Sequence, residues 1–235
     1  VLKMVLSGPA AAAFVALSNF VVAFALQRSA SPEEFGAFAI VQVLQLFGIG
    51  LSNAIFASPV VIALADDSKH AEVVRSFFKV EAMATLVGAA VSSLAVWGVT
   101  VRIGFSVAAA VFFVLSWNRW FFRALELASL NRRSPVLADL MYGVVVLLPS
   151  VCLARAGEFT LLDATLLQVA GSLGAFLMLG SGIGIALRGI LTAPVAEFSK
   201  SFKLHGSWSA VGVLTTEATG NAYNWIVGFV LGPAA

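Results

Sequence analysis

Long apolar runs alternate with short polar breaks along the whole chain. Each run is close to or above the about 20 residues that a helix needs to cross the hydrocarbon core of a bilayer. The runs are continuously apolar, whereas barrel strands alternate apolar and polar positions, so helices are favoured. We predict seven membrane-spanning helices, at 8–27, 35–64, 80–101, 103–122, 136–154, 164–187 and 207–231.

The composition supports a membrane location. Hydrophobic residues make up 60% of the 235 residues and charged residues only 11%, and the mean hydropathy is +0.98. A water-soluble domain has about a quarter of its residues charged. We therefore expect an all-α integral membrane protein. The single Cys152 lies in an apolar run, so an intrachain disulfide is excluded.

The second run, at 35–64, exceeds the length of a straight crossing. It contains Gly48, Gly50 and Pro59, so a tilt, a kink or an extension beyond the membrane each fits it.

Lys and Arg are unequally divided between the connections. With a cytoplasmic N-terminus, three cations lie on the outer side, Arg28, Arg102 and Arg155. Eleven lie on the inner side, Lys3, Lys69, Arg75, Lys79, Arg119, Arg123, Arg132, Arg133, Arg188, Lys200 and Lys203. Because positive charge favours the cytoplasmic side, this bias predicts a cytoplasmic N-terminus.

The predicted spans divide into three parts. Residues 1–192 form a first six-helix bundle, and 193–206 form a cytoplasmic amphipathic linker within "APVAEFSKSFKLHGSW". Residues 207–235 then hold the first helix of a second, truncated bundle. An offset of 201 residues places "GPAA" near the end of the chain on "SPEE" at 31–34, which is a weak internal repeat. Many transporters consist of two related bundles.

The turn between the first two spans resembles a motif of bacterial polysaccharide flippases. In that motif an Arg is followed, after a few residues, by a small residue, Pro, any two residues, Phe or Val, Gly, any residue, Tyr or Phe, and Ala. Arg28, Pro32, Phe35, Gly36 and the "FA" at 38–39 match it, and "LGPAA" at 231–235 is similar to its start. These flippases form the polysaccharide transporter (O-antigen flippase) branch of the multidrug/oligosaccharidyl-lipid/polysaccharide exporter superfamily.

The resemblance implies half of a two-bundle, inverted-V transporter in the bacterial inner membrane. Its substrate would be an undecaprenyl-diphosphate-linked glycan, moved from the cytoplasmic to the outer leaflet by alternating access. Further implied partners are membrane lipids and the polymerase and export machinery of the same polysaccharide. One departure is that many members carry an Arg near the end of the second helix, where this chain has "FASPVVIAL".

Polar residues at membrane depth are the candidates for a substrate cavity. Glu217, Asn221 and Asn224 share one helical face of the seventh span. Asn19 lies near the middle of the first span, at a depth similar to that of Asn221. The second span carries Gln42, Gln45 and Asn53 on one broad face. For each of these residues, hydrogen bonding between helices is the alternative to cavity lining.

Arg119 and Arg123 are the candidates for contact with a diphosphate. They share a face with Glu126, which we expect to balance part of their charge. Guanidinium groups bind phosphate through paired hydrogen bonds. The alternative is that both side chains reach toward the headgroups, with Trp117 and Trp120 as interfacial anchors.

The remaining charged residues near the spans are expected to have structural roles. Arg28 would anchor the outer interface and pair with Glu33 or Glu34. Glu81, Asp139 and Asp163 are predicted at span boundaries, with Asp163 near a helix N-cap.

Three functions are alternatives to flipping, one of them transport, one structural and one enzymatic. A cation-coupled multidrug exporter of the same superfamily would be expected to carry an acidic residue in the first helix, and 8–27 has none. A membrane-embedded polysaccharide-assembly protein without transport activity stays open. A membrane enzyme would need a large outer loop, and the outer connections are short. We expect no catalytic residues, metal, cofactor or nucleic-acid partner.

Overall fold

The computed structural model describes residues 2–66, 70–188 and 190–220. The helices in these residues are α1 (Leu2–Ser29), α2 (Pro32–Ser52), α3 (Ser58–Asp66), α4 (His70–Thr100), α5 (Ile103–Ala128), α6 (Arg133–Ala156), α7 (Leu161–Met178), α8 (Gly180–Leu187), α9 (Ala196–Ser201) and α10 (Ser207–Gly220). Two π-helical turns complete them, at Asn53–Ala57 and at Phe202–Gly206. The all-α expectation is confirmed for this part of the chain.

Six stretches of the described chain are long and apolar enough to cross a membrane. They are Pro9–Ser29, Pro32–Ala65, Ala71–Thr100, Ile103–Ala128, Arg133–Ala156 and Leu161–Met178. The chain is therefore a multi-pass membrane protein, and the first six predicted spans correspond to these stretches. The sixth span ends earlier than predicted, because the helix stops at Met178 and α8 begins separately at Gly180.

Local sequence signals set the starts of two spanning helices. Ser31 accepts a hydrogen bond from the Glu34 backbone N–H, and Pro32 occupies the first turn of α2. Thr160 and Asp163 form the same reciprocal arrangement at the start of α7. The predicted N-cap role of Asp163 is thus confirmed. Asp163 occupies the third helical position, and its Oδ2 accepts a hydrogen bond from the backbone N–H of Thr160.

The connections between spanning helices meet at two faces of the bundle. At one face, Arg102 forms an ion pair with Glu34 at 2.6 Å, and Ser29 Oγ donates to the Phe159 carbonyl at 2.9 Å. This face lies across the bundle from the basic face, and we call it the opposite face. At the other, Ser134 Oγ donates to the Met178 carbonyl. This is the basic face, where α4 and α6 begin and α5 ends.

The long second span owes its irregularity to a π-helical turn. The turn at Asn53–Ala57 joins α2 to α3 just before Pro59, which has no backbone N–H to donate. The tilt, kink or extension expected for this span stays a prediction. Continuous helix on both sides keeps Pro32–Ala65 a single span.

Helix α5 occupies the centre of the bundle, packed against α4, α7 and α2, while α1 packs on α6 and α6 on α7. Small residues permit these close approaches. Gly48 of α2 and Gly88 of α4 both face Phe113 of α5, and Gly171 of α7 faces Val146 of α6. α1 and α2 contact each other only slightly although they are consecutive.

We expect Gly171→Val to destabilise the bundle by about 1–3 kcal/mol, since a new side chain would overpack this contact. A Cβ at this position would lie 2.6 Å from Val146 Cγ2 and 3.2 Å from the backbone oxygen of Tyr142. Gly98→Val is the control, because a Cβ there meets nothing within 4 Å. Thermal unfolding in detergent measures both variants. Equal losses of stability in the two variants would contradict the close contact of α7 with α6 at Gly171.

Candidate functional site

Four uncharged polar side chains from four helices form a hydrogen-bonded group inside the bundle. Gln42 Nε2 of α2 donates to Gln168 Oε1 of α7 at 2.9 Å. Gln168 Nε2 in turn donates to Asn19 Oδ1 of α1 at 3.3 Å. Tyr142 Oη of α6 donates to the same Asn19 oxygen at 2.6 Å. The amide oxygen of Asn19 therefore joins three helices.

An ionic group continues from Tyr142 toward the basic face. The Arg119 guanidinium lies over the Tyr142 ring, 4.4 Å from its centroid. Arg119 Nη2 contacts Asp139 Oδ1 at 2.7 Å, and Arg123 Nη2 contacts Asp139 Oδ2 at 3.3 Å. Arg123 also lies over the Trp120 ring, at 5.0 Å. Two guanidinium groups of α5 thus share one carboxylate of α6.

Together these residues form a polar column across half of the membrane. It consists of Gln42, Gln168, Asn19, Tyr142, Arg119, Asp139 and Arg123. Asn19 and Gln42 each lie ten residues from a helix end at the opposite face, or about 15 Å at 1.5 Å per residue. That distance is half of the about 30 Å hydrocarbon core. Arg123 lies five residues from the end of α5 at the basic face.

The two ends of the polar column are its accessible parts. Asn19 and Gln42 are half-buried, whereas Gln168 and Tyr142 are 0% and 2% exposed. At the basic end, the Arg123 side chain is 20% exposed and that of Arg119 is 3% exposed. A polar ligand could reach the amides from the side where α1 and α2 separate, and Arg123 from the basic face.

The structure brings four of the predicted site residues into the polar column, Asn19, Gln42, Arg119 and Arg123. Gln45 is buried on the neighbouring face of α2, and its Oε1 has no hydrogen-bond partner in the described part of the chain. Asn53 is half-buried in the first π-helical turn. Gln45 and Asn53 are therefore not joined to the polar column by hydrogen bonds.

The candidates on the seventh predicted span are not tested. Glu217 lies on α10, and its side chain is not among those that the structure describes. Asn221 and Asn224 lie outside the described residues. Their proposed cavity role stays a prediction.

Two members of the polar column, Gln168 and Tyr142, escaped the sequence analysis, and Asp139 was named there only as a boundary residue. Gln168 is the one amide in the apolar run of α7, and this was the signal that could have identified it. Tyr142 follows Asp139 by three residues, so both lie on one face of α6. Their partners are on other helices, and that pairing has no sequence signature.

One expectation about a carboxylate was wrong. Asp139 was placed at a span boundary, but it is 3% exposed and forms ion pairs with both arginines. Glu126 accepts a hydrogen bond from Asn131, and its expected part in balancing the two arginines stays a prediction. The reason is geometric, because Asp139 faces α5 across the α5–α6 contact.

The expectations for Glu81 and for the partner of Arg28 were also wrong. Glu81 is 0% exposed inside the bundle, where Thr85 Oγ1 donates to its Oε1 at 3.3 Å. Arg28 lies over the Phe24 ring at 5.5 Å, and Glu34 pairs with Arg102 instead of with Arg28. Arg102, in the connection before α5, lies closer to Glu34 in the fold than Arg28 does, although Arg28 is nearer in sequence.

The fold and the site define a class, a multi-pass helical membrane protein with an ionic and amide-lined interior. No protein-family model, curated protein or solved structure matches this chain. Within the described residues, no three His, Cys, Asp or Glu side chains are grouped so that they could hold a metal ion. The chemistry that the site offers is hydrogen bonding by amides and a phenol, together with charge-assisted bonds from guanidinium groups.

We expect Asp139→Asn to destabilise the protein by about 3–5 kcal/mol, because it leaves Arg119 buried without a counter-charge. Asp163→Asn is the matched control, since that carboxylate caps α7 at the opposite face and its loss costs about 1 kcal/mol. Thermal unfolding in detergent gives the comparison.

The double variant Arg119→Met with Asp139→Leu is expected to be more stable than Asp139→Leu alone. Removing both charges leaves no buried ion without a partner, apart from the partly exposed Arg123. If Asp139→Asn and Asp163→Asn were equally stable, the buried ion pair would have no structural role.

Proposed function

We propose that this chain forms the first bundle of a flippase for lipid-linked oligosaccharides. The single observation that carries the proposal is the polar column, which extends from the middle of the membrane to the basic face. Ionisable and amide groups at such depth are costly unless they line a substrate pathway or pair with one another. A flippase needs such groups, because it must shelter a sugar and a diphosphate from lipid.

The chemistry of the two ends suits the two parts of the substrate. Amide groups donate and accept hydrogen bonds, as sugar hydroxyls do, and Asn19 and Gln42 are the partly accessible amides. A guanidinium group binds the oxygens of a phosphate through paired hydrogen bonds. The sugar would contact the middle of the polar column and the diphosphate its basic end.

The two arginines take different roles in this proposal. Arg119 is buried between Asp139 and the Tyr142 ring, and it positions these groups. Arg123 is 20% exposed and bonded to Asp139 at a longer 3.3 Å. Arg123 is therefore the group that contacts the diphosphate as the substrate enters from the cytoplasmic side.

The proposed mechanism places the substrate between this bundle and a second one. Asn19 and Gln42 line the side on which α1 and α2 separate, and the seventh helix with Glu217, Asn221 and Asn224 would begin the second bundle. Rocking of the two bundles about a shared cavity gives alternating access. The location proposed is the bacterial inner membrane, with a cytoplasmic N-terminus.

Export in cells tests the assignment of the polar column. In cells whose export of a lipid-linked glycan depends on the gene that encodes this chain, we expect Gln168→Leu and Arg123→Gln to lower export about ten- to hundredfold. This is the loss expected for one or two hydrogen bonds, charged in the case of Arg123. Arg123→Lys should retain part of the activity, since the charge persists without the paired geometry.

Asn118→Leu is the matched control for that experiment. The Asn118 amide is half-buried on α5 and donates to the Val114 carbonyl of its own helix, outside the polar column. Its replacement should leave export unchanged. Unchanged export by Gln168→Leu and Arg123→Gln, at normal protein levels in the membrane, would remove the polar column from the mechanism.

Labelling of the two ends of α6 tests the orientation. In a Cys152→Ser background, Glu158→Cys lies at the opposite face and Arg132→Cys at the basic face, both at exposed positions. A membrane-impermeant maleimide applied to spheroplasts should label residue 158 at once and residue 132 only after the membrane is opened. The reverse pattern would place the N-terminus outside.

A further inference from the structure

A groove opens at the basic face, apart from the polar column. Helices α3, α4 and α9 and the second π-helical turn form its walls. Its cavity volume is about 170 Å³, below the about 300–1,000 Å³ of pockets that enclose a whole small molecule, so it has room for part of a ligand such as a headgroup. Its lining residues are Ile62, Ala63, Val73, Glu197, Lys200, Ser201, Leu204 and His205.

The wall contributed by α9 is held firmly in place. Phe198 packs against the rings of Phe56, Phe77 and Phe202, with centroids 5.3–5.6 Å apart. Its backbone N–H donates to Ser76 Oγ of α4. Just before α9, Lys79 Nζ donates to the Leu191 and Ala193 carbonyls. The groove therefore has a fixed shape and does not depend on a loose loop.

Positive charge and hydrogen-bond donors lie on one side of the groove. Lys200 is exposed and forms no ion pair with any residue that the structure describes. His205 lies five residues farther along, and its imidazole donates a hydrogen bond in either protonation state. Glu197 is the single carboxylate in the lining. This set suits a ligand that has a phosphate and also hydroxyl groups.

Exposed apolar side chains lie at the same groove and near it. Ile62 and Leu204 of the lining are 43% and 63% exposed, and Trp208, outside the lining, is 80% exposed. The groove also lies near the ends of two spans, one ending at Ala65 and the next beginning at Ala71. Headgroups and the first carbons of acyl chains lie at that level of a bilayer, and aromatic side chains favour it.

We propose that this groove binds an anionic phospholipid from the surrounding leaflet. Its phosphate would contact Lys200 and His205, headgroup hydroxyls would donate to Glu197, and the acyl chains would extend along Ile62 and Leu204. Basic pockets between membrane helices recognise anionic headgroups in this way. The site is separate from the polar column, so it stands whether or not the chain transports a glycan.

Native mass spectrometry of the delipidated protein with added lipid tests the site. We expect phosphatidylglycerol to bind more tightly than phosphatidylcholine, whose headgroup has no net charge and no hydroxyl donor. Lys200→Ala should weaken phosphatidylglycerol binding about five- to tenfold, the effect of one cation near an anionic headgroup. Lys203→Ala is the matched control, because Lys203 is exposed on the same segment but does not line the groove.

Three results would overturn the proposal. Equal weakening by Lys200→Ala and Lys203→Ala would indicate general attraction to a basic surface. Equal binding of the two lipids would remove the headgroup contacts. Full competition by soluble glycerol phosphate would identify a phosphate site that needs no acyl chain. Unchanged thermal unfolding of both variants without lipid shows that any difference comes from binding and not from misfolding.

Discussion

The absence of water around the spanning helices is the constraint on which the interior depends. A polar side chain facing lipid has no partner, so it is stable only where another helix supplies one. Asn19, Gln42 and Gln168 each carry an amide at membrane depth and lie on three different helices. Their mutual hydrogen bonds satisfy that requirement and bring α1 and α2 to the same point on α7.

The shared carboxylate of Asp139 extends the same requirement to charge. Two guanidinium groups of α5 approach one oxygen each, and the closer pair is nearly inaccessible to solvent. A buried guanidinium keeps its proton, so Arg119 needs the carboxylate of Asp139 beside it. This requirement holds α6 in register with α5. The less buried Arg123 is then the member of the ionic group that a ligand could contact without breaking the core.

The segment after the sixth span packs against the bundle. α9, the second π-helical turn and α10 follow one another without interruption from Ala196 to Gly220. Ser201 Oγ donates to the carbonyl of Pro59, beside the first π-helical turn. The two irregular turns therefore lie against each other, and aromatic packing around Phe198 holds the segment to the bundle. Whether this segment joins two bundles stays a prediction.

The sequence by itself determined the membrane class, the first six spans and the place of Asp163 near the start of α7. These features depend on local composition, since a run of apolar residues has no stable place in water. It also indicated Asn19, Gln42, Arg119 and Arg123 as polar groups at depth. Only the tertiary structure decided their partners, namely Gln168, Tyr142 and Asp139. A hydrogen bond between helices depends on how the helices are rotated and packed. These are properties of the whole bundle, and they cannot be read from the sequence of one helix.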